Sequence, residues 1–149
     1  MSATPVSTDS SSSRGSEHRF ALMAPEGLRP HEEYELQRLE SLRQWIRTDG
    51  HLYHPVVVDQ HSFVILDGHH RVQVLREMGC SLVPVYLVNY LGGHIQVFPR
   101  RKDVAVDKER IIQRGLQGVP FPPRTSRHVF DPPLAPHPVR VDTLLHRVP

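Results

Sequence analysis

Apolar positions recur along the chain with two periods, and the alternation between them outlines a fold. Leu36, Leu39, Leu42 and Ile46 are spaced three or four apart within residues 31–49. This is one face of an amphipathic helix, with Gly50 as its stop. Residues 55–59 and 62–66 are short runs rich in β-branched side chains, and the polar Asp59-Gln60-His61 between them predicts a hairpin. Helical spacing returns in residues 69–78, where Val72, Leu75 and Met78 share a face and Gly79 follows as a C-terminal stop. Residues 83–90 and 94–98 read as two further strands around Gly92 and Gly93. A third helix is predicted over 108–117, with Asp107 placed as its N-cap and Val106 and Ile111 as a hydrophobic staple. Trp45 lies near the apolar face of the first helix and is expected in the core.

Both ends of the chain depart from these periods. Residues 1–19 are Ser-rich, and no Phe, Leu, Ile, Trp or Tyr occurs before Phe20. Such a segment buries too little apolar surface to offset its ordering entropy, so a disordered tail is expected there. From residue 119 the chain is Pro-rich, with seven prolines between 120 and 138. Proline removes backbone donors and resists regular structure, which leaves either an extended loop lying over the domain or disorder.

Composition narrows the class. A chain of 149 residues that is 38% hydrophobic supports one domain with a real core and is short for two. The formal charge is only +2, from 18 Lys+Arg against 16 Asp+Glu. No apolar run approaches the roughly 18 residues of a membrane helix. An apolar signal region is lacking as well, so a cytoplasmic protein is expected. The lone Cys80 excludes a disulfide scaffold, and its apolar context suits a packed thiol. Eleven histidines are an unusual density and raise the question of chemistry. They show no paired His-x-x-x-His spacing for a metal.

The chemistry concentrates at one turn. An apolar strand ending at Leu66 runs through Asp67, Gly68, His69, His70 and Arg71 into a helix. A helix start offers unpaired backbone N–H groups and positive partial charge, which suits a phosphate. Gly68 allows close approach, Arg71 can fork onto phosphate oxygens, and His69 and His70 add donors. Asp67 either caps the helix or holds a magnesium ion carried by a nucleotide. Upstream, Glu32, Glu33 and Glu35 could each serve as a base or simply sit favourably against a helix dipole. Downstream, Thr125, Ser126, Arg127 and His128 could bind an anion or form a basic loop. Arg100, Arg101 and Lys102 read as a solvated basic turn, with attraction of a phosphate as the lesser alternative.

Asp67-Gly68-His69-His70-Arg71 after a strand resembles the nucleotide-binding box of the ParB/sulfiredoxin superfamily, in the form carried by its free L-serine kinases. Two further segments are similar to that kinase family. Leu28-Arg29-Pro30-His31-Glu32 matches a Lys-Pro-His-Glu motif, and Pro123-Arg124-Thr125-Ser126-Arg127-His128-Val129 matches a Pro-Lys-Thr-Thr-Arg-His-Val segment. His69 stands where sulfiredoxins carry their reactive Cys, so sulfiredoxin chemistry is not expected.

The resemblance implies a single α/β (α+β) domain with a small mixed sheet flanked by helices. Its nucleotide-binding catalytic core would span residues 20–118. The segment 119–149 would pack on that core and complete the substrate site. The implied activity is a small-molecule kinase that moves a phosphoryl group from ATP or ADP, with Mg2+, to the hydroxyl of free L-serine. Its product, O-phospho-L-serine, could feed cysteine or 2,3-diaminopropionate formation. Glu32 takes the role of catalytic base. Asp67, Gly68, His69, His70 and Arg71 take the nucleotide, and Asp67 the metal. His31, Thr125, Ser126, Arg127 and His128 take the substrate. Two departures stand out: the interval 98–122 is short for the family, and Arg100-Arg101-Lys102 replaces an aromatic cluster. The competing readings are a ParB-like nucleotide-switched DNA-binding regulator and a non-catalytic nucleotide-binding partner in a biosynthetic assembly. No helix-turn-helix region is recognised after the core, so nucleic acid is not an expected partner.

Overall fold

The structure, a computed structural model, describes residues 18–145. The expected tail up to residue 17 lies outside them. The chain runs β1 (His18–Met23), α1 (Leu36–Asp49), β2 (His51–Leu52), β3 (Val56–Asp59), β4 (Ile65–Asp67), α2 (His69–Glu77) and β5 (Val83–Val88). It continues through β6 (Ile95–Pro99), α3 (Lys108–Gln117), β7 (Ser126–Phe130) and β8 (Val139–Arg140). The fold is mixed α/β. A four-stranded sheet has the order β1-β5-β3-β4, and two small ribbons pair β2 with β8 and β6 with β7. In the sheet, β3 and β5 are parallel, and the outer pairings are antiparallel.

The central strands are buried on both faces, which explains their near-continuous apolar character. Side chains alternate along a strand. Val56 and Val58 of β3 and Val83, Val85 and Leu87 of β5 therefore enter one cluster, with Leu39 and Ile46 of α1 and Val72, Val74 and Leu75 of α2. Val57, Tyr86 and Val88 face the other way and join Ile111 of α3, Ile95 and Phe121. Gly115 of α3 lies hard against Val64, where a Cβ would meet Val64 Cγ2 at 2.6 Å.

The structure corrects several expectations. The first helix begins at Leu36, not at residue 31. Residues 29–33 are extended because their backbone groups are taken by distant partners. Arg29 N–H donates to Phe63 O, and Ile65 N–H donates to Arg29 O. Phe121 N–H donates to His31 O, and Glu33 N–H donates to Phe121 O. A residue preceding proline also disfavours helix, and Arg29 precedes Pro30. Leu36 is consequently outside the apolar stripe and 83% exposed, and Trp45 is 48% exposed, not core. His18 and Arg19, expected in the disordered tail, form the start of β1, which pairs with β5 along its whole length. The Pro-rich segment contributes the regular strands β7 and β8.

Candidate functional site

Glu32, Asp67, Gly68, His70, Ser126 and Arg127 meet at one polar cleft of about 440 Å3. The cleft sits where α2 begins and the β6–β7 ribbon passes. Gly68 is the N-cap of α2, with φ of 108°, a conformation L side chains rarely adopt. A Cβ there would also lie 2.8 Å from an Arg71 guanidinium nitrogen. No side chain caps this helix. The N–H groups of its first turn are therefore open to an anion. Asp67, expected as cap or metal ligand, is exposed at the rim and 3.5 Å from Arg71.

The structure gives Arg71 a different job from the expected phosphate fork. Its guanidinium donates to His54 O at 2.5 Å and to Pro55 O at 3.3 Å, fixing the approach to β3. The histidines of the box likewise face inward. His69 Nε2 accepts the His31 N–H at 3.1 Å, and His70 Nε2 accepts the Glu35 N–H at 3.0 Å. Both rings thus hold the segment leading into α1. Burial first, then the repulsion that protonated His31, His70 or His128 and Arg71 would exert, holds His69 well below its ordinary pKa. Burial and then Arg38 lower His70. Neither ring is a cationic donor at neutral pH.

Glu32 is the most constrained carboxylate of the site. Its Oε2 accepts from Ser126 N–H at 3.0 Å and Ser126 Oγ–H at 2.8 Å, and its Oε1 accepts from Arg124 N–H at 3.2 Å. Each carboxylate oxygen has two lone-pair directions, so Oε1 keeps one free. Glu33 is exposed on the flank, and Glu35 is turned to Arg124 at 2.8 Å, which separates three neighbours that the sequence leaves equivalent. His31 lies beside Glu32, fully buried. Its Nδ1–H donates to Ile65 O at 2.6 Å, and its Nε2 is 3.1 Å from Ser126 Oγ. Burial, outweighing that carbonyl bond, lowers its pKa to about 4. A neutral His31 offers only an acceptor at Nε2, so the single Ser126 hydroxyl proton goes to the nearer, charged carboxylate.

The remaining expected residues divide. Arg127 is exposed and lines the cleft, its guanidinium 5.9 Å from the centre of the Phe98 ring. His128 lines it too, but its Nε2 meets Tyr90 Oη at 2.8 Å, and burial pulls its pKa down to about 3. It cannot offer positive charge to a carboxylate at neutral pH. Thr125 is fully buried with its hydroxyl on Pro122 O at 2.6 Å, where it shapes the turn without lining the cleft. Two lining residues were not expected at the site: Arg38 of α1, which the local pattern does not mark, and Arg100 after β6, which reads as part of a basic turn. Their direction depends on how α1 and the ribbon pack. A second cleft of about 870 Å3 adjoins the first through Leu42, Asp67, Arg71, Arg127 and His128. Trp45, Tyr53 and Pro133 give it apolar walls.

Cys80 is buried, and burial raises its thiol pKa, as suits a packed side chain. Among the described residues, no group of three His, Cys, Asp or Glu could hold a metal, and no helix is long and apolar enough to cross a membrane. That donor set does not make a resident metal cage. It fits an ion bound mainly by substrate phosphates and completed by one carboxylate.

Comparison with known proteins agrees with this geometry. A family model of the ParB N-terminal domain matches residues 7–93. A ParB-like protein of Sulfolobus acidocaldarius is 30% identical over 108 residues, covering 69% of this chain and 54% of that protein. The ATP-dependent L-serine kinase SbnI of Staphylococcus aureus is 40% identical over 86 residues, covering 56% of this chain and 34% of that one. The chain thus spans about half the length of the first relative and a third of the second. A free serine kinase in complex with AMP shares the fold, with a TM-score of 0.77 at 13% identity over 85% of this chain and 93% of that one. With a family model matched over more than half of its length, the chain belongs to the ParB N-terminal domain family.

Proposed function

We propose that this protein is a small-molecule kinase that transfers a phosphoryl group from ATP or ADP to the hydroxyl of free L-serine, releasing O-phospho-L-serine. One observation carries the proposal. A carboxylate, Glu32, is fixed by three hydrogen bonds in the same cleft as an uncapped, glycine-started helix N-terminus. Phosphoryl transfer to an alcohol requires that the phosphates be held, their charge offset, and the attacking hydroxyl oriented and relieved of its proton. In this reading the backbone N–H groups of His69, His70 and Arg71 receive phosphate oxygens, and Gly68 lets them approach. The nucleoside extends into the adjoining cleft past Trp45 and Tyr53. The acceptor hydroxyl donates to the open lone pair of Glu32 Oε1, which takes the proton as the oxygen attacks phosphorus. Ser126 and the Arg124 N–H keep that carboxylate aimed.

Asp67 is the residue that would hold a magnesium ion travelling with the nucleotide, and the ion would neutralise phosphate charge there. Arg127 would meet the transferred phosphoryl group. The names of the relatives support the reading: SbnI is an ATP-dependent L-serine kinase, and a Thermococcus kodakarensis relative is an ADP-dependent one. A cytoplasmic setting, where these substrates occur, belongs to the same proposal.

The test is a phosphoamino-acid assay on the purified chain with magnesium, ATP or ADP, and a panel of hydroxy amino acids. O-phosphoserine formation is expected, with loss of roughly 10²–10⁴ in rate for Glu32→Ala, the usual weight of a positioned base. Tight nucleotide binding without turnover of any acceptor would replace the kinase with a non-catalytic nucleotide-binding protein.

A further inference from the structure

We infer that Arg100 anchors the carboxylate of the acceptor and so sets a preference for acceptors that carry one. This rests on the kinase reading above. Four arginines line the polar cleft: Arg38, Arg71, Arg100 and Arg127. Three are already engaged. Arg71 is committed to His54 O, Pro55 O and Asp67. Arg38 lies 3.7 Å from Glu35, and Arg127 is drawn to the Phe98 ring. The Arg100 side chain is exposed and has no partner among the described residues.

Its backbone is nevertheless fixed. The Arg100 N–H donates to Thr125 O at 2.9 Å, next to the residue that holds Glu32. Arg100 therefore hangs from the same ribbon that aims the base, whereas the phosphate-binding turn belongs to α2. In a β-hydroxy amino acid the reacting oxygen and the carboxylate carbon are three bonds apart. Whatever grips the carboxylate must line the same cleft as Glu32, and Arg100 does. A guanidinium matches a carboxylate with two parallel N–H donors, which a lysine cannot reproduce.

The experiment compares wild type, Arg100→Ala and Arg100→Lys as full chains, with magnesium and nucleotide, on L-serine and on ethanolamine. Ethanolamine keeps the hydroxyl and ammonium and lacks the carboxylate. Arg100→Ala should raise the KM for serine about tenfold or more, as for a lost charge-assisted hydrogen bond, with kcat and the KM for nucleotide within about threefold. Arg100→Lys should recover part of the loss. Wild type should prefer serine to ethanolamine, and Arg100→Ala should shrink that preference by a similar factor. An unchanged serine KM, an equal loss on both acceptors or a raised nucleotide KM would overturn the inference while leaving the kinase standing. No turnover of any acceptor by wild type would overturn both.

Discussion

Ser126 holds Glu32 twice, through its backbone N–H at 3.0 Å and its hydroxyl at 2.8 Å, although the two residues are 94 positions apart. The Pro-rich segment thereby supplies Ser126, Arg127 and His128 to the cleft. Removing the hydroxyl leaves the backbone bond in place, so Ser126→Ala should fold, lose about 0.5–1.5 kcal/mol of stability and turn over several-fold more slowly. Nucleotide affinity should not change, and Ser126→Thr should restore most of the rate. Steady-state kinetics with separate nucleotide titration would check this. A fall in nucleotide affinity as large as the fall in kcat would contradict the assignment of Ser126 as a positioning residue.

Gly68 is required by conformation and by space together. With φ at 108° and Arg71 2.8 Å from the position of a Cβ, Gly68→Ala should cost roughly 1–3 kcal/mol and distort the first turn of α2. Nucleotide binding measured by calorimetry should weaken more than the global stability. Wild-type affinity in this variant would remove the turn from the phosphate site.

The buried imidazoles predict a pH dependence of stability. His31 at about 4 and His128 at about 3 lie far below the ordinary 6.5, mainly through burial. Between those values the unfolded chain binds protons that the folded chain does not. The stabilisation is thus complete above pH 6.5 and is lost as pH falls through the histidine range, with a slope approaching about 1.4 kcal/mol per pH unit for each ring. Glu77, held down by its hydrogen bond from Arg43, adds its own loss only at lower pH. Urea denaturation at pH 7, 6 and 5 isolates the histidines, and equal stability at pH 7 and 5 would refute the assignment.

The contact between α3 and the sheet should be sensitive to a single methyl group. Gly115→Ala places a Cβ 2.6 Å from Val64 Cγ2, and overpacking of this kind costs about 1–3 kcal/mol. Val64→Ala on the same background should relieve part of the loss, so the double variant should be less destabilised than the sum of the singles. Additive thermal shifts would mean that the two side chains do not press on each other.

The local pattern was sufficient for the strand–turn–helix at Asp67 to Arg71, because hydrophobic period and glycine chemistry act over a few residues. Strands β3 and β4, helices α2 and α3, and the Asp107 cap on Arg110 N–H at 2.8 Å were legible for the same reason. The start of α1 was not. Residues 31–35 have helical composition, but tertiary hydrogen bonds to Phe121 and to the rings of His69 and His70 hold them extended. Nor could the local pattern separate Glu32 from Glu33 and Glu35, since only the Ser126 and Arg124 backbone distinguishes them.

By itself, then, the sequence determined the elements whose stability is local and the presence of a phosphate-suited turn. The tertiary structure decided which groups that turn leaves available. It sent Arg71 to two carbonyls, made four histidines neutral props by burying them, and left the Arg100 side chain at the cleft without a partner among the described residues. The physical reason is that a side chain's charge and direction depend on desolvation and on hydrogen-bond partners far away in the chain, and neither is encoded in its immediate neighbours.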